Sequence, residues 1–162
     1  MKRILCLFLV CCFLFSGCSA VGQRIKEPVS FYYIRTNYSE DMASVIQSEE
    51  REASGHRDDL PYLMKLYMMG PTEDSLRSPL PRGAKILSIE NTGKEVFVQL
   101  SDLTKAMSDA DFSLVCACLA LTCFDLTKAD TTTIASGEWS ITMGRDSLTL
   151  SDSSAVPTEE IT

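Results

Sequence analysis

The sequence predicts an α+β domain, a mainly antiparallel or mixed sheet with two helices packed on it. Three observations predict it. Leu60, Leu63, Met64, Tyr67 and Met68 fall at i, i+3, i+4, i+7 and i+8, one apolar stripe of a 3.6-residue helix. Phe112 to Phe124 is apolar nearly all round, the pattern of a helix buried on most sides. Around these two, short segments rich in aromatic and β-branched residues are bounded by glycine, proline and asparagine, as strands are. The order strand, helix, hairpin, helix, strands places the helices on a sheet. At 162 residues, with no internal repeat, one domain is expected, over residues 29–150.

The N-terminus stands apart from that domain. Lys2 and Arg3 form a positive n-region, and Ile4 to Phe15 is an apolar run of 12 residues. A permanent bilayer span needs roughly 20. The run ends in Phe15-Ser16-Gly17-Cys18, which resembles the lipobox of a bacterial lipoprotein signal, with Phe15 where a small aliphatic residue is usual. The resemblance implies a signal peptide over 1–17, diacylglyceryl transfer to the Cys18 thiol with palmitate-type acylation, and cleavage before Cys18. The competing reading is an ordinary secretory signal with Cys18 as one more apolar residue. Residues 18–28 then serve as the lipidated cysteine and a tether, whose ten residues from Ser19 reach at most ~35 Å.

From 15 basic and 22 acidic residues, loss of Lys2 and Arg3 leaves 13 against 22, a formal charge of −9. Such a chain does not seek nucleic acid and is repelled by an anionic membrane face, so its hold on a membrane would rest on the lipid. With Cys6, Cys11 and Cys12 in the signal and Cys18 acylated, only Cys116, Cys118 and Cys123 remain. On a helix Cys116 and Cys123 stand ~10 Å apart, too far to bridge. They read as small buried apolar residues.

Taken in order, Val29 to Arg35 is the first strand and Asn37 to Glu40 a turn. Met42 to Arg51 fits either a strand or a weak helix, and Glu49-Glu50-Arg51-Glu52 reads as a solvated face. Asp59 caps the first helix, Pro61 sits in its first turn, and Gly70-Pro71 stops it. A polar loop follows, then Ser78-Pro79-Leu80-Pro81-Arg82-Gly83 as a stiff extended lead-in. Ala84 to Glu90 and Glu95 to Ser101 form a hairpin; Val96, Val98 and Leu100 face the core, and Phe97 on the other face implies partial cover there too. Ser108 caps the second helix, with Asp109 and Asp111 in its first turn. Thr131 to Ala135, Glu138 to Met143 and Ser147 to Leu150 close the sheet, and residues 151–162 form a disordered acidic tail.

This order of features resembles the GerMN domain of sporulation and germination lipoproteins. Leu66-Tyr67-Met68-Met69-Gly70-Pro71 is similar to that family's helix end, one residue longer between leucine and glycine. Ser78-Pro79-Leu80-Pro81-Arg82-Gly83 matches its Ser-Pro-x-Pro-x-Gly, and Val96 to Ser101 resembles its Leu-Ser strand. Phe112 to Asp125 stands where it has a second helix, though Cys116 to Cys123 is more apolar than usual there. The chain has one such unit where some relatives have two. The resemblance implies a non-enzymatic lipoprotein at the extracytoplasmic face of the cell membrane, acting in sporulation or germination with other envelope proteins or with itself.

Candidate chemistry is sparse. His56, the only histidine, lies in a polar Ser-Gly-His-Arg loop, where an exposed histidine is the simpler reading than a triad member. Asp102, Asp109 and Asp111 could pair as carboxylates or bind a cation, but their spacing fits no Ca²⁺ loop, and capping explains them. No catalytic residue, metal or cofactor is expected. Trp139 and the cluster Phe31, Tyr32 and Tyr33 are candidates for a contact surface; one face of the first strand is expected to pack inward, leaving Tyr32 and Ile34 on the other, with core packing as the alternative. Two function classes follow: a tethered interaction and assembly module, or a lipoprotein binding a small ligand or peptidoglycan fragment.

Overall fold

The computed structural model describes residues 27–39 and 44–148. Cys18 with its lipobox, most of the tether and the acidic tail lie outside them. The described residues form two sheets around one long helix.

Strand β1 (Pro28–Arg35) alternates as its sequence demands: Val29, Phe31 and Tyr33 point into the main core. It pairs antiparallel with β2 (Ile46–Glu52), which settles the ambiguous segment as a strand from Ile46 on; residues 42–43 lie outside the described set. Helix α1 (Leu60–Met68) follows, its cap formed by Asp59 Oδ1 accepting from Tyr62 N–H at 3.0 Å. Gly70, at φ +85°, closes it by donating to Tyr67 C=O. Leu60, Leu63, Met64 and Tyr67 are buried against β1. Tyr67 stacks on Tyr33 at 4.8 Å, and the pair is cross-bonded: Tyr33 O–H donates to Tyr67 C=O, and Tyr67 O–H donates to Tyr32 C=O.

The loop after α1 contains a short strand, β3 (Leu76–Arg77), on the other edge of β1. The Ser-Pro-x-Pro-x-Gly segment is not the extended lead-in expected from its prolines. Leu80 N–H bonds Ser78 Oγ, and Ala84 N–H bonds Pro81 C=O across a tight turn in which Gly83 has φ +85°. A turn with positive φ at its third position needs that glycine.

The second sheet has the order β4-β5-β6-β7, built from β4 (Ile86–Asn91), β5 (Glu95–Leu100), β6 (Thr131–Ser136) and β7 (Trp139–Gly144). Leu87 bulges out of the β4–β5 ladder. β5 and β6 run parallel, joined by helix α2 (Asp109–Leu126), so the sheet is mixed. At the end of β5 the Leu-Ser motif acts as a junction: Ser101 bonds Lys85 on one side, and its C=O accepts from Ser136 Oγ on the other. As expected, Val96, Val98 and Leu100 are fully buried and Phe97 is half-buried. Gly137 makes the β6–β7 turn at φ +58°, where a Cβ would stand 2.7 Å from Asp102 Oδ1.

Helix α2 packs between the sheets, which explains its lack of a polar face. Ser108 caps it, accepting from Asp111 N–H. One flank joins the main core; another covers β1, where Ile34 and Cys118 are buried with Ile46 beside half-buried Tyr32. Tyr32 and Ile34 therefore do not form an open contact surface, because α2 occupies that face. The helix also closes the unpaired part of the β1 edge: Ser30 N–H donates to Asp125 Oδ2 at 3.1 Å, and Tyr32 N–H to Thr122 Oγ1 at 3.0 Å.

The expected strand from Ser147 to Leu150 is corrected at its start. Arg145–Ser147 is a 3-10 turn, and residues 149–150 lie outside the described set. The turn serves Arg145, whose guanidinium donates to the C=O groups of Phe124, Thr127 and Ala129 and lies 5.0 Å over the Phe124 ring. These are the orphan carbonyls of the α2 C-terminus and the loop just beyond, so the helix is capped by a residue far along the chain.

Candidate interaction surface

The loop leaving α1 is fixed by a carboxylate that the sequence hides. Glu49 is 2% exposed, not solvated as its charged run suggested. Alternation along β2 turns it inward, opposite Phe31. Its oxygens accept from Thr72 N–H at 3.0 and 3.1 Å, from the Thr72 hydroxyl, and from Arg51 Nη1 at 3.2 Å. Arg51 Nη1 also donates to Gly70 C=O. The Gly70-Pro71-Thr72 segment is thus clamped to β2, which sets where α1 ends and which of its faces stays open.

That open face borders a cleft of about 470 Å³. Pro61, Met64, Lys65 and Met68 of α1 line one wall, at helical spacing; Ala84 to Ile89, the outer edge of β4, form the other. The lining is apolar except for Ser88 and two ammonium groups, Lys65 and Lys85. Leu87, pushed out by its bulge, is 62% exposed, and Met69 at the helix end is 77% exposed. A helix face with Met64 and Met68 in its wall, beside an unpaired strand edge, is the form that accepts an extended peptide by strand addition. Sequence reasoning passed over Lys65, Lys85 and Leu87. Met68 was visible in the stripe and Lys65 beside it, but nothing local to either segment shows that β4 lies opposite.

The sequence candidates for chemistry do not converge. His56 is exposed, stacked on Tyr62 at 4.1 Å, with Nδ1 3.7 Å from Asp59 Oδ2. Asp102 Oδ1 accepts from Thr104 N–H and Oγ1, and those hydrogen bonds hold its carboxyl below the usual range. Asp111 accepts from the Ser108 hydroxyl, and Asp109 lies in the first turn of α2. Burial pushes the thiols of Cys116, Cys118 and Cys123 up to about 12, away from the thiolate form that nucleophilic chemistry requires. Trp139 is half-buried, tilted against Phe112 at 5.1 Å. Among the described residues, no group of three or more His, Cys, Asp or Glu is placed to hold a metal ion, and no helix is long and apolar enough to cross a membrane.

No family model and no curated protein matches the chain. Among solved structures, it is similar to the tandem GerMN domains of the sporulation protein GerM from Bacillus subtilis, at 17% identity and a TM-score of 0.49. That alignment covers 68% of this chain and 39% of the GerM chain, so the chain spans well under half of the tandem structure. A protein of Clostridium perfringens assigned as a lipoprotein is similar at 17% identity and a TM-score of 0.42, over 74% of this chain and 87% of that one.

Proposed function

We propose that this chain is a non-catalytic lipoprotein, held at the extracytoplasmic face of a cell membrane through Cys18, whose GerMN-like domain is an interaction module of the envelope in sporulation or spore germination. The observation that carries the reading is the α1–β4 cleft: a free strand edge and a methionine-lined helix face, framed by Lys65 and Lys85 in a chain of net charge −7. Two ammonium groups at an apolar groove select an extended acidic segment with apolar side chains, supplied by another envelope protein. The raised thiol pKa values, the loop hydrogen bonds of Asp102 to Thr104 and the place of Asp111 in the α2 cap support recognition over catalysis. The anchor is supported by Lys2, Arg3, the apolar run and the Ser16-Gly17-Cys18 ending.

The test places a photo-cross-linkable side chain at Leu87 of the full chain in the producing cell. The expected result is one discrete protein adduct, lost in Lys65→Glu/Lys85→Glu. Fatty-acid labelling is expected in wild type and absent in Cys18→Ala. The cleft volume also suits a small ligand such as a peptidoglycan fragment. Saturable muropeptide binding, lost on Lys65→Glu/Lys85→Glu, together with no protein adduct at Leu87, would replace the first reading by the second.

A further inference from the structure

We infer that β7 is a self-pairing edge. Two copies of this chain join antiparallel along Trp139–Gly144, with Ser140 of each opposite Thr142 of the other. The two four-stranded sheets then become one sheet of eight strands.

The other sheet edges are less suited to pairing with a second copy: β2 carries Glu49, Glu50, Arg51 and Glu52, β3 has two residues, and β4, which borders the α1 cleft, is bulged at Leu87, so a regular register between two copies breaks there although a short segment can still lie along it. Charge, shortness and bulges are the usual guards against edge pairing. β7, Trp-Ser-Ile-Thr-Met-Gly, has none of them: no charge, no proline, and an unbroken register from Thr131↔Gly144 to Ser136↔Trp139.

The backbone on this edge is free where pairing needs it. Arg145 N–H donates to Asp130 C=O, which fixes the alternation of the β6–β7 ladder. Met143, Ile141 and Trp139 therefore bond towards β6, while Gly144, Thr142 and Ser140 present their N–H and C=O outwards. Gly144 is satisfied on both groups by Ser147 Oγ. For Ser140 and Thr142 no backbone partner occurs among the described residues.

The strand is complementary to itself in one register. With Ser140 opposite Thr142, each such pair exchanges two N–H···O bonds, and the arrangement is two-fold symmetric about Ile141. On the core-facing side, Ile141 then meets Ile141 of the second copy, and Trp139 meets Met143, an apolar and a sulfur–aromatic cross-strand contact. All three side chains are only half-buried in one copy. On the outer side, Ser140 meets Thr142, whose hydroxyl already lies 2.8 Å from that of Thr133, so a hydroxyl row continues across the junction. Glu138 falls opposite Gly144, beside Arg145. Two chains of net charge −7, or −9 once cleaved before Cys18, can thus approach along a strand, Trp139–Gly144, that itself carries no ionised side chain.

One strand pair buries less than the roughly 1,200 Å² of a stable interface, so the dimer is concentration-dependent and is favoured when chains share one membrane plane. The pairing deepens the interaction-module reading and rests on it for its use in the cell, yet it is a property of the folded domain alone.

The experiment co-expresses two differently tagged full-length chains, one Ser140→Cys and one Thr142→Cys, and oxidises them mildly in the membrane. Opposed residues in this register have the Cα spacing of a disulfide, whereas 140–140 and 142–142 are offset diagonally. The expected result is a mixed 140–142 cross-link well above both homotypic combinations, with wild type as background. Sedimentation of the detergent-solubilised full chain should show a concentration-dependent dimer that Thr142→Pro reduces to monomer. Thr142 N–H points away from β6, so the substitution spares the ladder. Should Thr142→Pro misfold, Ser140→Lys/Thr142→Lys and Ser140→Glu/Thr142→Glu replace it: each alone monomeric, their mixture a heterodimer. Equal cross-linking in all combinations, or a dimer that survives these variants, overturns the proposal. Loss of the Leu87 adduct with the 140–142 cross-link intact would overturn only the cleft reading.

Discussion

A buried carboxylate decides where α1 hands the chain over to its loop. Glu49→Ala leaves Thr72 N–H and Arg51 without their acceptor, and a cost of about 2–4 kcal/mol is expected as a lower urea midpoint. Glu49→Gln keeps one acceptor oxygen and should lie between. The sequence could not show this. In a run of four charged residues nothing local marks which one turns inward; pairing with β1 sets that, and the acceptor's partner Thr72 lies 23 residues on. The cysteines were the reverse case, because an apolar helix around them already implied inert thiols. Their ordinary value is 9.0 and the fold moves each to about 12. The neutral form is favoured by folding, so that contribution is whole below pH 9 and fades as pH climbs towards 12. Urea unfolding across that window should show stability falling, and maleimide at pH 8 should leave the three thiols unlabelled until denaturant is added.

At the scale of elements, what was legible followed local rules. Asp59, Pro61 and Gly70 bounded α1, Ser108 opened α2, and alternation at Val96, Val98 and Leu100 gave β5 its inner face. What was not legible depended on distant partners. The last turn of α2 contains no basic residue, so in sequence its C-terminus looks uncapped. Arg145 arrives there only after the β6–β7 hairpin has turned back, and the 3-10 turn Arg145–Ser147 that carries it takes up Ser147, where a separate closing strand was expected to start. Arg145→Ala is expected to destabilise by about 2–4 kcal/mol in thermal unfolding, through several charge-assisted bonds and the ring contact. Arg145→Lys should recover little, since one ammonium cannot span the same carbonyls. Gly137→Ala should also destabilise, because its φ is positive and its Cβ would strike Asp102.

For the whole molecule, fold class was predictable because two helical patterns and several strand patterns leave few packings. The division into two sheets, and the parallel β5–β6 pair, were not, since both depend on how α2 crosses over. The α1–β4 cleft is likewise a product of assembly. Lys65→Glu/Lys85→Glu should shift stability by no more than about 0.5 kcal/mol, both side chains being exposed, while removing whatever the cleft holds. Helix α2 has a kinetic corollary. By filling the vacant edge of β1 with Thr122 and Asp125, it stands in for a missing strand. The amides of Ser30 and Tyr32 can then meet solvent deuterium only when the helix lifts away, and lifting it uncovers both sheets together. Hydrogen exchange at those two amides should be as slow as at Val98, and the domain should melt in a single step.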